Sequence, residues 1–275
     1  MRLTPFSTLL AVATTASLAF LLLPIVAIFA ELSPGDLRDG LTGDVTRDAL
    51  RVTIETNLVA MALIILFGTP TAYLLATRRF RGKALLVTLV ELPLVLPPAV
   101  AGIGLLAAFG RLGLLGGTLE GLGIDIAFTK VAVVLAITFV ASPFYVRTAI
   151  AAFEAVDPDL VAASRTLGAG PGRTFARVAL PLAGGGLGAG AALAFARGLG
   201  EFGATIMFAG SLQGVTQTLS LAVYQEFDVE FDNALAIGAL LVVASALILL
   251  TAKLVLAWRR SNSTLITASA RSVSS

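Results

Sequence analysis

The chain contains no cysteine and no histidine. That excludes disulfides, thiolate nucleophiles, zinc sites of the usual ligand set and imidazole acid–base chemistry. Charge is scarce too: 13% of the 275 residues are Asp, Glu, Lys or Arg, about half the roughly 25% of an ordinary soluble domain. No Walker A sequence occurs, so the chain lacks the loop that cradles nucleotide phosphates in P-loop ATPases. A net charge of +2 is too small to point to nucleic acid. What the chain has instead is apolar surface. Hydrophobic residues make up 57%, and a soluble domain of this size would still need a charged skin, so lipid is the implied solvent.

A bilayer core takes about 20 mostly apolar residues per helix. Stretches near 8–30, 56–77, 84–109, 129–150, 183–209 and 233–257 qualify. The sequence therefore predicts an all-α, polytopic membrane protein with about six transmembrane helices. The first stretch follows Arg2 like a signal peptide, but its apolar run is too long for an h-region and no small-x-small cleavage site follows, so it is expected to be a retained helix.

Orientation follows from charge. With the N-terminus inside, Arg2, the cluster Arg78, Arg79, Arg81 and Lys83, then Arg147, Arg165, Arg173 and Arg177, and finally Lys253, Arg259, Arg260 and Arg271 all fall on the cytoplasmic side. Only Arg38, Arg47, Arg51, Arg111 and Lys130 fall outside, and Arg197 lies within a span. The positive-inside rule places both termini in the cytoplasm. Residues 1–260 read as one transmembrane domain, and the Ser/Thr-rich stretch 261–275 as a disordered cytoplasmic tail, where the glycosylation pattern Asn262-Ser263-Thr264 has no meaning. No internal repeat is evident.

The helix expected in the segment 151–182, of about ten residues, is too short to span. Asp157 before Pro158 reads as an N-cap followed by proline at the first helical position, and Leu160, Ala163 or Ser164, and Leu167 share a face at helical spacing. Gly168 reads as the stop. Gly170-Pro171 opens a second short segment, expected to end before Pro181. Such a pair either rests on lipid headgroups or docks a soluble partner, and periodicity alone does not choose.

In the fifth span, Gly198-x-Gly200-x-x-Gly203 formally satisfies the dinucleotide fingerprint, but the βαβ context that fingerprint requires is missing. On their own the glycines read as close helix packing, as do Gly184, Gly185, Gly186, Gly188 and Gly190. Arg197 and Glu201 stand four residues apart and share a helix face. Charge at that depth is costly unless paired or facing water, which makes a functional role the default. Arg197 could offer several donors to a passing oxyanion, while Glu201 would orient Arg197 or hold a gate. Glu91, ahead of Pro93, Pro97 and Pro98 in the third span, is either a packed structural acid or a residue of the path, and those prolines should bend the span.

Val161-Ala162-Ala163, Gly168, and then Val178-x-Leu180-Pro181 after the family's spacing resemble the EAA loop of bacterial ABC importer permeases, with Val161 where many members carry Glu. Arg197-Gly-Leu-Gly-Glu-Phe-Gly-Ala-Thr205, together with Glu91-Leu-Pro-Leu-Val-Leu-Pro-Pro98-Ala-Val-Ala-Gly102, is similar to the molybdate/tungstate branch, and a related Gly-Glu-aromatic-Gly segment occurs in sulfate and thiosulfate permeases. The resemblance implies a type I permease fold and an ATP-driven importer of molybdate or tungstate, with sulfate or thiosulfate as the alternative. It implies a homodimer in the bacterial inner membrane, in contact with lipid, served by two cytoplasmic ATP-binding subunits and an extracytoplasmic oxyanion-binding protein. No catalytic residue, cofactor, metal or nucleic acid is implied. It places ATPase docking at Val161, Ala162, Ala163, Arg165, Gly168 and Pro181, and the path or gate at Arg197, Gly200, Glu201, Gly203, Thr205 and Glu91. An intramembrane protease lacks its groups, since there is no histidine and no pair of Asp residues within the spans. A secondary transporter, a class that often shows inverted repeats, would be marked by uptake without an ATPase.

Overall fold

The computed structural model describes residues 5–272, with side chains for Phe6–Thr251, Lys253 and Leu254. Arg2 lies outside the described residues, as do the side chains of Arg259, Arg260 and Arg271 and the last residues of the 261–275 stretch. Every regular element among the described residues is helical. Among the described residues five helices are long and apolar enough to cross a membrane, and a bent pair supplies a sixth crossing if counted as one.

Helix α1 (Pro5–Glu31) lies against the last helix and is otherwise exposed and apolar along its length. The short α2 (Pro34–Thr42) is capped by Ser33, whose Oγ accepts from the Asp36 N–H at 3.2 Å. Helix α3 (Asp44–Thr77) starts well before the span expected at 56–77, because its first turns carry charge and stand beyond the apolar window. Helices α4 (Lys83–Val95) and α5 (Pro98–Phe109) form the predicted third span, broken by a 113° bend. The prolines account for the break: Pro97 and Pro98 donate no backbone hydrogen bond, and Leu96, as the residue before proline, is held extended at ψ 133°. A short α6 (Gly116–Gly121) follows. Arg111 Nη2 reaches Glu120 Oε1 at 2.8 Å, and that carboxylate holds the Arg111 guanidinium above its ordinary pKa.

Helix α7 (Lys130–Glu154) is the centre of the bundle, with 56% of its apolar window buried. It packs chiefly on α3 and on α10 (Leu180–Leu199). Small residues set these distances. A Cβ on Gly68 would lie 2.9 Å from Tyr145 Cδ1, and one on Gly190 would lie 3.1 Å from Thr148 Cβ, so the backbones approach to where only glycine fits. Thr69 and Tyr145 close the α3–α7 seam with a buried hydroxyl–hydroxyl bond of 2.6 Å. Lys130 meets Glu55 at 2.7 Å as Tyr145 meets Thr69, so α3 and α7 run in the same direction. Gly186 faces Ala152 and Gly198 faces Ile137, so α10 runs opposite to α7.

Between α7 and α10 lie α8 (Pro158–Thr166), α9 (Pro171–Thr174) and a π-helical turn, Phe175–Ala179. Here one expectation is corrected. The segment opened by Pro171 does not end before Pro181; Pro171–Leu199 is one helical run. The π turn absorbs the proline: the Leu180 N–H reaches back to the Phe175 carbonyl, a wider register that relieves the ring's clash with the preceding turn. A second correction concerns the fifth span, expected as one helix over 183–209. It breaks at Gly200–Phe202, and a separate helix, α11 (Gly203–Ala209), follows. Helix α12 (Leu219–Val229), not foreseen from sequence, packs on α13 (Phe231–Ser272). At 1.5 Å per residue a helix of that length is about 63 Å long, twice a bilayer core of about 30 Å, so its distal part leaves the membrane.

Candidate translocation and docking sites

The break between α10 and α11 is built by two charges of opposite sign at two helix ends. Arg197 occupies the last turn of α10, where a cation complements the helix dipole. Glu201 lies just ahead of α11. Arg197 Nη2 is 2.7 Å from Glu201 Oε2, with the Glu201 side chain 1% exposed and that of Arg197 26%. The other carboxylate oxygen accepts from the Ala204 N–H at 2.7 Å. One buried carboxylate thus caps α11 and anchors Arg197 to it, which satisfies the condition for keeping a charge at this depth.

Neighbouring elements close around the break. Ser220 Oγ donates to the Leu199 carbonyl at 2.9 Å, and Asn57 Nδ2 donates to the Phe195 carbonyl at 3.2 Å. Thr53 Oγ1 accepts from the Leu219 N–H at 2.8 Å, tying α12 to α3. The rings of Phe202 and Tyr224 stand 5.1 Å apart. Thr205 is fully buried, and its hydroxyl has no hydrogen-bond partner among the described residues; the same holds for Asn57 Oδ1 and Thr218 Oγ1.

The glycines of the false fingerprint divide. A Cβ on Gly203 would meet Pro98 Cβ at 2.7 Å, and one on Gly198 would meet Ile137 Cγ2 at 2.9 Å, whereas Gly200 has open space around it. Gly198 and Gly203 are therefore packing contacts against α7 and α5.

The structure brings Arg197, Glu201, Gly203 and Thr205 together, but not Glu91. That carboxylate lies on α4, partly exposed, with Oε1 3.6 Å from Arg147 Nε on α7. In the α7–α10 register Arg147 is level with Gly190, about seven residues or about 10 Å short of Arg197. Sequence reasoning missed Asn57, Thr53 and Thr218 around the break. The signal available was the polar triplet Thr53, Thr56 and Asn57 at one-turn spacing on α3.

The second site lies at the opposite, basic end of the bundle. Lys83 Nζ is 3.8 Å from Glu154 Oε1, which fixes the Arg78–Lys83 loop beside the end of α7 and the start of α8. Asp157 caps α8 as the sequence predicts, accepting from the Asp159 N–H at 2.9 Å. Gly168 ends it at φ +82°, with the Gly168 N–H on the Arg165 carbonyl at 2.9 Å and the Ala169 N–H on the Ser164 carbonyl at 3.1 Å. The left-handed conformation is one that glycine adopts without strain. Around α8, Val161 and Arg165 turn to a cleft shared with the Arg78–Lys83 loop. Leu160, Ala163 and Leu167 line a groove against the start of α10, whose floor includes Pro181. Ala162 is exposed.

The chain is a multi-spanning bundle with a short capped helix at one end and a buried ion pair at a broken span. It resembles the crystal structure of a bacterial alginate ABC transporter in complex with an alginate pentasaccharide-bound periplasmic protein (TM-score 0.71, 15% identity, covering 90% of this chain and 92% of that one). It also resembles the inward-facing MetNI methionine ABC transporter (TM-score 0.57, 20% identity, 76% and 93%). At these identities the likeness is one of fold. Residues 64–260 match the binding-protein-dependent transport system inner membrane component family, and the chain belongs to that family of multi-pass transport subunits. Among its relatives, the molybdenum transport system permease protein ModB of Mycobacterium tuberculosis is 46% identical, over 86% of this chain and 89% of that protein. A probable molybdenum ABC transporter permease protein of Haloferax volcanii is 40% identical over 82% and 85%. The sulfate transport system permease protein CysT of Escherichia coli is 37% identical over 83% and 84%.

Proposed function

We propose that this chain forms the membrane path of an ATP-driven importer for molybdate or tungstate. The observation that carries the reading is 46% identity to a molybdenum permease across 86% of the chain, a stretch that includes the segment Arg197–Thr205. Two copies would form the path at their interface, in a bacterial inner membrane with both termini cytoplasmic. Residues 1–260 would make up the transmembrane domain and 261–275 the cytoplasmic tail. An external binding protein would deliver the anion, and two ATP-binding subunits would dock on α8.

Ala162 and Ala163 are the docking contacts in this reading, small enough for close approach. Val161 and Arg165 face the cleft between α8 and the Arg78–Lys83 loop, and Gly168 fixes the exit of the chain. The helical run Pro171–Leu199, in which Pro181 lines the groove beside α8, leads from that groove to Arg197. A tilt imposed at α8 would therefore be felt at the Arg197–Glu201 pair, the proposed gate, with Gly200 as its free-moving joint and Thr205 lining the path. Glu91, paired with Arg147, would be a structural acid.

The test is deletion of the gene in its host, followed by mass spectrometry of cellular molybdenum at low external molybdate, with and without excess sulfate. Loss of molybdenum in the deletion strain, with wild-type uptake resistant to sulfate, is expected. Unchanged molybdenum with reduced sulfate accumulation moves the substrate to sulfate or thiosulfate, the reading that CysT supports. Uptake into vesicles that follows an ion gradient and ignores ATP would replace the importer with a secondary transporter.

A further inference from the structure

The cleft between α8 and the Arg78–Lys83 loop has a volume of about 570 Å³ and a split character. Its rim carries Arg79, Lys83 and Arg165 against one carboxylate, Glu154. Lys83 stands 3.8 Å from that carboxylate, while neither Arg79 nor Arg165 has an ion pair among the described residues. The floor is apolar, made in part by Tyr73 and Phe153, whose rings pack edge to face at 5.2 Å. The cleft opens where two apolar spans end, at Thr77 of α3 and Glu154 of α7, which is the level of the lipid headgroups.

We propose that this cleft binds the phosphate of an anionic phospholipid, with the headgroup between Arg79 and Arg165 and the glycerol region on the Tyr73–Phe153 floor. Free guanidinium groups match phosphate oxygens through paired donors, and a basic pocket between spans is a recognised form of headgroup site. The floor decides between sources of phosphate. A free inorganic ion has no use for an apolar half, whereas a lipid fills both halves. A lipid held here would bridge the Arg78–Lys83 loop and α8, so the docking helix would be sensitive to membrane composition. The inference does not depend on which anion is carried.

The full-length chain, co-purified with its associated subunits in detergent, is incubated with phosphatidylglycerol or phosphatidylcholine and examined by native mass spectrometry. Retention of phosphatidylglycerol over phosphatidylcholine is expected. In Arg79→Ala/Arg165→Ala retention should fall about tenfold or more, since each cation near a membrane surface contributes about fivefold. Arg78→Ala/Arg81→Ala, which removes the same charge outside the cleft lining, should retain lipid as the parent does. If the first double variant fails to assemble, Arg79→Gln at an exposed position replaces it, with about fivefold loss expected. Equal loss in both double variants reduces the effect to general surface charge and overturns the site. Displacement of the lipid by millimolar inorganic phosphate overturns the lipid in favour of a free anion. Unchanged retention in the cleft variant, with weaker co-purification of the associated subunits, overturns it in favour of a protein carboxylate on Arg79 and Arg165.

Discussion

Arg197 and Glu201 are joined across a helix break, Nη2 to Oε2 at 2.7 Å, while the same carboxylate caps the next helix through the Ala204 N–H. The two partners are therefore unequal. Arg197→Ala strands a fully buried carboxylate. It should cost about 2 kcal/mol, the lower end for truncating one partner of a buried charge pair, because Arg197 is itself partly exposed. Glu201→Gln removes the charge but keeps an acceptor for the Ala204 N–H, so its melting temperature should stay closer to the parent's. Uptake should fall in both. Thermal unfolding in detergent, measured beside transport in vesicles, checks the ordering; a Glu201→Gln protein less stable than Arg197→Ala would show that the charge, not the cap, holds the break.

The three glycines of Gly198-x-Gly200-x-x-Gly203 should respond differently to alanine. Gly203→Ala drives a methyl into Pro98, 2.7 Å from its Cβ, and should destabilise by about 1–3 kcal/mol as overpacking. Gly198→Ala meets Ile137 and Asn57 and belongs to the same class. Gly200→Ala meets nothing within 4 Å and has a negative φ, −91°, so its fold should tolerate the methyl. Any transport loss in that variant then reports on motion at the joint. Melting curves for the three variants decide it, and an unfolded Gly200→Ala would contradict the packing assignment.

The number of spans could be read from apolar runs, because lipid demands about 20 apolar residues whatever the packing. The breaks could not all be read the same way. Pro97-Pro98 announces a bend chemically. At Gly200–Phe202 the interruption carries a local capping bond, from the Ala204 N–H to Glu201 three residues before it, and a hydropathy window averages over it. The pairing of Arg197 with Glu201 was legible from their spacing of four residues. Glu91 was not, since its partner Arg147 is on another helix and only packing brings α4 to α7. Helix α12 escaped notice because its polar face, with Gln225 and Glu226, resembles a solvated loop until Thr53 and α13 supply its partners.

Gly168 tests the docking end. Its φ of +82° is one that a residue with a Cβ enters at a cost of about 1–2 kcal/mol, and no neighbouring atom lies in the way. Gly168→Ala and Gly168→Asp should therefore disturb the exit of α8 alone. The expected result is weaker co-purification of an ATP-binding subunit with an unchanged melting temperature of the span bundle. Normal co-purification with Gly168→Asp would remove α8 as the docking element.

Tyr145 and Thr69 supply a polar contact in the apolar centre of the bundle, 2.6 Å between hydroxyls. Tyr145→Phe leaves the ring and its packing against Gly68 in place and removes only the phenol oxygen. The Thr69 hydroxyl then has an alternative, the carbonyl one turn back on its own helix, as Thr71 and Thr77 on α3 already use at 2.7 Å. Because the bond can be replaced inside one helix, its loss should cost about 0.6 kcal/mol, the average for interhelical hydrogen bonds in membranes. Tyr145→Ala instead opens a large cavity between α3 and α7 and should cost about 3–5 kcal/mol. Thermal or denaturant unfolding of the two variants in the same detergent measures the difference. Equal destabilisation would mean that the hydroxyl pair, and not the ring filling the space beside Gly68, holds α3 to α7.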